Sequence, residues 1–259
     1  MQLETHIGHS TATDIYLRGR NLVTEIIGQR DFIDVMLLEF TGEFPEPRLK
    51  AMVNAVLVTV SDLGLTPVVL ASRLTYLGAP ESLQGAVAAG LLGAGSHFLG
   101  TMQSVAELMR REVARRSEWD EAAIEAAAHD IVQSHRGAKK IIPGIGHPIH
   151  VNGDPRTPKL LELAAANGYR GAHCALAEAV ARAASKALNR TMPLNAAGAV
   201  GAVVSDMGFP PFFGKALALV GRTAGLVAHL AEEMKQPMGQ KLWDLVLEHA
   251  PPPQGSAPA

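Results

Sequence analysis

Apolar residues recur at helical spacing along most of this 259-residue chain, and alternating strand patterns are nearly absent. The clearest stretch runs from Glu121 to Arg136, where Asp120 can cap the start and Gly137 can end the helix in a left-handed conformation. A second such stretch runs from Ala172 to Leu188. These patterns predict an all-α fold.

Other segments carry helix signals of the same kind. Asp154-Pro155 is typical of a helix start, because aspartate caps well and a proline at the first position needs no backbone donor, so we predict a helix from Pro155 to Asn167. We also predict helices from about Asn195 to Asp206 and from Phe212 to Lys235. The run from Ala55 to Ser61 has strand propensity, but no partner strand is visible, so we assign it to a buried helix.

The two ends of the chain lack this periodicity. The N-terminus up to about Thr13 is polar, and we expect it to be irregular. The segment from Pro251 to Ala259 is rich in Pro, Gly, Ser and Ala, a composition that predicts disorder.

Composition excludes several classes of function. The formal net charge is −2, so no basic surplus exists to bind nucleic acid. The most apolar stretch, from Gly85 to Gly95, is too short for a membrane span, which needs about 20 apolar residues. The single cysteine, Cys174, cannot form an internal disulfide, and no signal-like segment opens the chain. We therefore expect a cytoplasmic protein without a membrane or nucleic-acid partner.

A loop rich in glycine and proline runs from Lys139 to His150 between two predicted helices. Because Pro148 favours an extended backbone at the residue before it, His147 is expected to project from a stiff loop. That position suits a neutral imidazole that donates a hydrogen bond to a carbonyl oxygen. The alternative is a surface turn with an incidental histidine.

Two arginines are candidates for binding an anion. Arg156 lies in the first turn of a predicted helix, where free backbone donors attract carboxylates; the alternative is an exposed arginine paired with a neighbouring acid. Arg222 lies in the middle of the most apolar long helix, so it requires a ligand or a buried partner. His229, on the same helix face, fits a satisfied histidine of the core or cleft wall.

Asp206 ends the helix that begins near Asn195. A carboxylate at a helix C-terminus opposes the dipole, so apolar neighbours would raise its pKa toward that of an acid–base group acting on carbon. The alternative is an aspartate that only starts the following turn.

Taken together, these motifs resemble the citrate synthase superfamily. The match rests on the segments Ile142 to His147, Asp154 to Arg156 and Gly221 to His229, with further similarity between Tyr16 and Pro45. Phe98 and the Ser205-Asp206-Met207 segment make the citryl-CoA lyase branch, which includes the lyase module of ATP-citrate lyase, the nearest resemblance.

The resemblance implies an all-helical homodimer or higher homo-oligomer in which each chain has a large domain and a small lid domain. In this chain the large domain would comprise residues 1–102 and 194–250, and the lid residues 103–193. It also implies a carbon–carbon lyase that cleaves a coenzyme A thioester, such as citryl-CoA, to acetyl-CoA and an oxo acid such as oxaloacetate.

The resemblance also implies roles for individual residues. His147 and Asp206 would be catalytic, and Arg156 and Arg222 would bind the substrate. The coenzyme A would be bound by a further set, comprising Ile142, Gly144, Gly146 and Arg190, with help from Lys139 or Lys140. No metal is expected.

Two positions depart from the family pattern. Ala197 stands where the family usually has an aspartate, and Leu63 replaces a histidine that contacts the oxo acid. Two alternatives therefore stay open. One is a lyase for a different 3-hydroxyacyl-CoA, with Leu63 making the pocket more apolar, and the other is a non-catalytic, regulatory protein that binds coenzyme A.

Overall fold

A computed structural model describes residues 4–250, and the Pro251 to Ala259 segment that we expected to be disordered lies outside them. Within residues 4–250 the chain forms eleven α-helices, and the predicted helical class is confirmed. The helices are α1 (Phe32–Thr41), α2 (Pro47–Ser61), α3 (Pro67–Gly78), α4 (Leu83–Leu92), α5 (Thr101–Ala114), α6 (Glu121–Gly137), α7 (Arg156–Ala166), α8 (Ala172–Leu188), α9 (Ala196–Asp206), α10 (Phe212–Glu233) and α11 (Gly239–His249). No helix in this part of the chain is long and apolar enough to cross a membrane.

The N-terminus, which we expected to be irregular up to about Thr13, instead contributes the first strand of a small antiparallel sheet. Its strands are β1 (Gly8–Ser10), β2 (Ile15–Leu17) and β3 (Arg20–Asn21), in the order β1-β2-β3. Strands of two or three residues are too short to show an alternating pattern, which is why the sequence did not reveal them. A single π-helical turn, Leu22–Ile26, follows the sheet.

The predicted helices lie close to their expected positions. The α8 helix has the predicted bounds, and α10 ends two residues before the expected Lys235. The Ala55 to Ser61 run lies within α2, where Val56 and Val60 are buried, so a helix is confirmed despite the strand propensity.

The α9 helix is the centre of the fold. Nine of its 11 residues are buried, as expected of a helix that is apolar on all sides. It packs against α5, α7 and α8. Gly201 permits the α5 contact, because a Cβ atom there would lie 2.7 Å from the Cβ of Val105. The two ends of this buried helix therefore present residues to two separate regions of the protein.

The α10 helix packs closely on the C-terminal end of α2. A Cβ atom at Gly221 would lie 2.8 Å from the carbonyl oxygen of Leu57, so only glycine allows this approach. The contact brings the middle of α10, including Arg222, beside Asp62, the residue that follows α2.

Candidate active site

Hydrogen bonds fix the loop that carries His147 to the segment that precedes α9. Gly146 N donates to the carbonyl oxygen of Pro193 (2.7 Å), and Asn195 N donates to that of Gly144 (3.0 Å). The Asn195 side chain also donates to the carbonyl oxygen of Gly146 (2.7 Å). The loop is therefore stiff, as its composition predicts.

The packing of the loop against α9 requires a glycine at position 144. Its φ is +78°, and a Cβ atom there would lie 2.6 Å from the Cα of Gly198 in α9. Any other residue would separate the loop from the helix. Gly144 is thus required by the backbone contact itself, which the resemblance alone does not reveal.

The hydrogen bonds of His147 define its protonation state. Its Nδ1 atom accepts from the backbone N–H groups of Ile149 (3.1 Å) and His150 (2.9 Å), so a neutral ring carries its proton on Nε2. Burial lowers the pKa of His147, which favours the neutral ring. His147 therefore has the tautomer and charge of a neutral hydrogen-bond donor.

Asp154 links the start of α7 to the start of α9. Its buried carboxylate accepts from Arg156 Nε (3.0 Å) and Nη2 (2.8 Å), and from Ala196 N (2.8 Å). Burial acts to raise the pKa of Asp154, but these hydrogen bonds outweigh it and lower the pKa to about 2. Arg156 is thus paired with a neighbouring acid, and its remaining N–H groups are those left to bind a substrate.

Arg222 is buried with an unused donor. Its Nη1 atom lies 3.6 Å from Asp62 Oδ1 and makes no hydrogen bond within residues 4–250. Burial lowers the pKa of Arg222, and the nearby charge of Arg156 acts in the same direction. A buried guanidinium with an unpaired N–H is destabilised, and a bound carboxylate would relieve this.

Asp62 belongs to a polar network that the sequence did not reveal. Its Oδ1 atom lies 2.9 Å from His229 Nε2, and His229 Nδ1 lies 2.8 Å from Arg73 Nη2. Arg73 is completely buried and pairs with Glu232 and Glu233. Because an arginine can only donate, His229 Nδ1 accepts and its Nε2–H donates to Asp62. His229 is thus a satisfied histidine, and the network holds the Asp62 carboxylate beside Arg222.

A cavity of about 350 Å³ adjoins the His147 loop. Its lining includes Gly146, His147 and Arg190, three of the predicted site residues. Gly144 instead faces α9, and Ile142 is half-buried against the core. Hydrogen bonds therefore join Arg156, through Asp154, to the start of α9, and join the His147 loop to the segment that precedes it. Arg222 is near enough for the charge of Arg156 to lower its pKa, and Arg190 lines the adjacent cavity.

The structure does not bring Asp206 to this site. Asp206 ends α9, about 15 Å from Ala196 at its start. Its carboxylate accepts from the backbone N–H groups of Gly171 (2.8 Å), His173 (3.2 Å) and Cys174 (3.0 Å), and lies 2.7 Å from His173 Nδ1. Asp206 thus caps the start of α8.

The expected rise in the pKa of Asp206 is wrong. Burial does act to raise it, but hydrogen bonds from His173, Cys174 and Gly171 have the larger effect and lower the pKa. The sequence shows that Asp206 lies at the C-terminus of α9, where the helix dipole disfavours a carboxylate. The N-terminus of α8, which favours a carboxylate, begins 34 residues earlier in the chain and meets Asp206 only in the folded protein.

Residues 8–243 match the family described as citrate synthase, C-terminal domain. The chain belongs to the citrate synthase family. No curated protein sequence matches it significantly.

Solved structures of the family share this fold. Citryl-CoA lyase from Hydrogenobacter thermophilus is 32% identical, with a TM-score of 0.84 over 99% of this chain and 96% of that one. ATP citrate lyase from Methanothrix soehngenii, solved with citrate and coenzyme A, is 20% identical (TM-score 0.76; 91% of this chain, 39% of that one). A citrate synthase from Thermoplasma acidophilum is 18% identical (TM-score 0.66; 80% and 54%). The last two similarities establish the fold alone.

Proposed function

We propose that this citrate synthase family protein is a carbon–carbon lyase that cleaves citryl-CoA to acetyl-CoA and oxaloacetate. The 32% identity to a citryl-CoA lyase over nearly the whole of both chains supports the reaction class. The observation that carries the proposal is the neutral His147, with its proton on Nε2, in the loop bonded to the segment before α9. Arg222, with its unused buried donor, supplies a counter-charge for a substrate carboxylate.

The reaction breaks one carbon–carbon bond and one O–H bond, and it forms the ketone and one new carbon–hydrogen bond. The bond between the carbon next to the thioester carbonyl and the carbon bearing the hydroxyl breaks. The hydroxyl group loses its proton and becomes the ketone of oxaloacetate. The electron pair of the broken carbon–carbon bond forms an enolate of the thioester. A proton added to the enolate carbon gives acetyl-CoA. The barrier depends mainly on the negative charge that develops on the thioester oxygen.

His147 is suited to stabilise that charge. Its Nε2–H donates to the thioester oxygen, and because the ring is already neutral and fixed by two backbone N–H groups, it needs no rearrangement during the reaction. Arg156 and Arg222 hold the carboxylates of the substrate in register with this donor.

We assign the removal of the hydroxyl proton to Asp62. Asp206 lies at the far end of α9, and Ala197 carries no acid. Burial raises the pKa of Asp62, but hydrogen bonds from the Gly64 N–H and His229 have the larger combined effect and lower it, so the carboxylate is charged. It is half-exposed and lies beside Arg222, the residue that binds the substrate in this proposal.

We place the coenzyme A moiety on the cavity beside the His147 loop. Arg190 lines that cavity and supplies a cation, and Lys139 and Lys140 at the start of the loop add charge for phosphates. The backbone groups of Ile142, Gly144 and Gly146 would bind the adenine, as the family resemblance implies. Closure of the 103–193 segment as a lid, with the large domain formed by 1–102 and 194–250, would exclude water from the enolate.

We also propose that the enzyme is a cytoplasmic homodimer. Four large apolar residues of the α11 helix are at least half exposed: Trp243, Leu245, Val246 and Leu247. An exposed apolar surface of this kind is typical of a subunit interface. Cys174 is buried and, as the single cysteine, forms no internal disulfide, which suits a cytoplasmic protein. Light scattering of the purified protein tests the dimer, and a monomer at micromolar concentration would contradict it.

A panel of hydroxyacyl-CoA thioesters tests the proposed function, with products followed by mass spectrometry. We expect acetyl-CoA and oxaloacetate from citryl-CoA. Leu63 is 41% exposed next to Asp62, so release of acetyl-CoA from a less polar 3-hydroxyacyl-CoA instead would favour the alternative substrate. Coenzyme A binding without any product would establish the non-catalytic, regulatory alternative.

Variants of Asp62 test the assignment of the base. Asp62→Asn should lower kcat by about 10²–10⁴-fold while leaving coenzyme A binding unchanged. Asp14→Asn is the matched control, because Asp14 is also a hydrogen-bonded carboxylate with a lowered pKa but lies next to β2. Equal activity in the two variants would overturn the role of Asp62.

A further inference from the structure

A second, larger cavity lies between α5 and α6, away from the His147 loop. Its volume is about 630 Å³, against about 350 Å³ for the cavity beside His147, and the two share no lining residue. Arg111 of α5, together with Arg115 and Arg116 just after it, forms one wall, and Ser134 and His135 from the last turn of α6 form another. Nothing in the proposed lyase reaction uses this cavity.

Three guanidinium groups in this cavity share one buried carboxylate. Glu112 accepts from Arg111 Nε (3.0 Å) and Arg115 Nη1 (2.9 Å), and it lies 3.5 Å from Arg116 Nη1. Arg116 also pairs with Asp130 (3.1 Å). Three positive charges therefore face two negative ones, and a surplus of positive charge remains.

Glu112 orients the arginines. Its side chain is only 9% exposed, whereas Arg111 and Arg115 are 54% and 62% exposed, so the carboxylate is the fixed centre and the guanidinium groups extend toward the cavity. Burial acts to raise the pKa of Glu112, but the arginines outweigh it and lower the pKa, so Glu112 stays charged. Each guanidinium has five N–H groups and uses only some of them on the carboxylates, which leaves oriented donors for a ligand.

Hydrogen bonds at the end of α6 join this cavity to the start of the His147 loop. The carbonyl oxygen of Ser134 accepts from Ala138 N (3.0 Å), and that of His135 accepts from Lys140 N (2.9 Å). Ser134 and His135 line the cavity, while Ala138 and Lys140 begin the segment that carries His147. A ligand that fixes the last turn of α6 therefore also fixes the start of that loop.

We propose that the α5–α6 cavity binds a phosphate-bearing small molecule and, through Ser134 and His135, restrains the start of the His147 loop. A cluster of guanidinium groups matches the geometry and charge of phosphate oxygens. The volume accommodates more than a single phosphate group. This site is separate from the coenzyme A site, so it does not depend on the proposed lyase activity.

Titration calorimetry of the full chain with inorganic pyrophosphate tests the site. We expect saturable binding that Arg115→Gln weakens at least about tenfold and that the double variant Arg111→Gln/Arg115→Gln abolishes. Arg20→Gln is the matched control, because Arg20, in β3, is a similarly exposed arginine paired with one glutamate, Glu25. Equal weakening by Arg20→Gln, or absence of binding in the wild type, would overturn the proposal.

Arg190→Gln distinguishes this cavity from the coenzyme A site. Pyrophosphate binding that persists in Arg190→Gln and disappears in the double variant supports the α5–α6 site. Binding that disappears in Arg190→Gln and persists in the double variant would assign the anion to the coenzyme A site and overturn the inference. Because the readout is binding, it holds whether or not citryl-CoA proves to be the substrate.

Hydrogen exchange tests the link to the loop. Pyrophosphate should slow exchange of the amides of Ala138 and Lys140 in the wild type and in Arg20→Gln, but not in the double variant. Binding without this protection would contradict the coupling. Thermal unfolding of the double variant checks that its exposed substitutions leave the fold intact.

Discussion

Asp154 and Asp206 are two buried carboxylates at opposite ends of α9, and they have different consequences. Each accepts hydrogen bonds from backbone N–H groups at the start of a helix, Asp154 from α9 and Asp206 from α8. Each has a lowered pKa because hydrogen bonds outweigh the effect of burial. Only Asp154 also binds an arginine, Arg156, whose charge acts on both His147 and Arg222.

The difference lies in the neighbours rather than in the carboxylate. At the start of α9, Asp154 joins Arg156 to the segment that holds the His147 loop. At the end of α9, Asp206 faces His173 and Cys174. Burial, and to a smaller extent the charge of Asp206, raises the pKa of the Cys174 thiol. One end of α9 therefore organises the candidate site, and the other fastens α8 to the core.

Asp154→Ala is expected to have the largest effect. It leaves Arg156 without its partner and Ala196 N without an acceptor, so the free energy of unfolding should fall by about 3–5 kcal/mol, and citryl-CoA cleavage should be lost. Urea unfolding and product analysis measure the two effects. A variant with wild-type stability would show that this end of α9 is not held by Asp154.

Gly144→Ala tests the contact between the loop and α9. The positive φ costs about 1–2 kcal/mol, and the contact with Gly198 adds about 1–3 kcal/mol. Gly146→Ala is the control, since its φ is +87° but the nearest atom is the flexible end of Met192 at 3.2 Å. Thermal and urea unfolding should show a larger loss for Gly144→Ala, and equal losses would contradict the tight contact.

Asp206→Ala should destabilise the protein without disabling the site. It leaves three backbone N–H groups at the start of α8 without their acceptor, which should lower the free energy of unfolding by about 2 kcal/mol. The kcat per folded molecule should stay within about twofold of wild type, because the site lies at the other end of α9. A loss of kcat of a hundredfold with intact stability would restore Asp206 as a catalytic residue.

The pH dependence of stability should separate Asp154 from the remaining acids. Its pKa is about 2 in the folded protein and about 4 when unfolded, so its contribution of about 2–3 kcal/mol is complete well above pH 4 and is lost as the pH falls toward 2. Asp154→Asn should remove this part of the acid destabilisation. Urea unfolding at several pH values between 7 and 2.5 measures it, and identical profiles for variant and wild type would contradict the lowered pKa.

The sequence predicted the features that depend on short stretches of chain. The bounds of α8, the stiffness of the His147 loop and the burial of Arg222 follow from periodicity, from glycine and proline, and from the cost of charge in an apolar helix. The N-terminal sheet was missed because its strands are too short to show a pattern.

What the sequence could not predict depends on contacts between distant segments. Asp206 meets His173 of α8, which lies 33 residues before it in the chain, and Asp62 meets His229 across 167 residues. Neither partner is visible from local spacing. The expected sign of the pKa shift of Asp206 is therefore wrong, and local spacing gives no signal for the role of Asp62.

A comparison of two histidines tests the central claim most directly, because His147 and His173 lie at opposite ends of α9. The measurement is kcat for citryl-CoA cleavage by His147→Ala and His173→Ala. We expect His147→Ala to lose about 10²–10³-fold, as for removal of an oxyanion donor, and His173→Ala to keep nearly wild-type turnover. Full turnover by His147→Ala, or an equal loss in both variants, would contradict the assignment of the site.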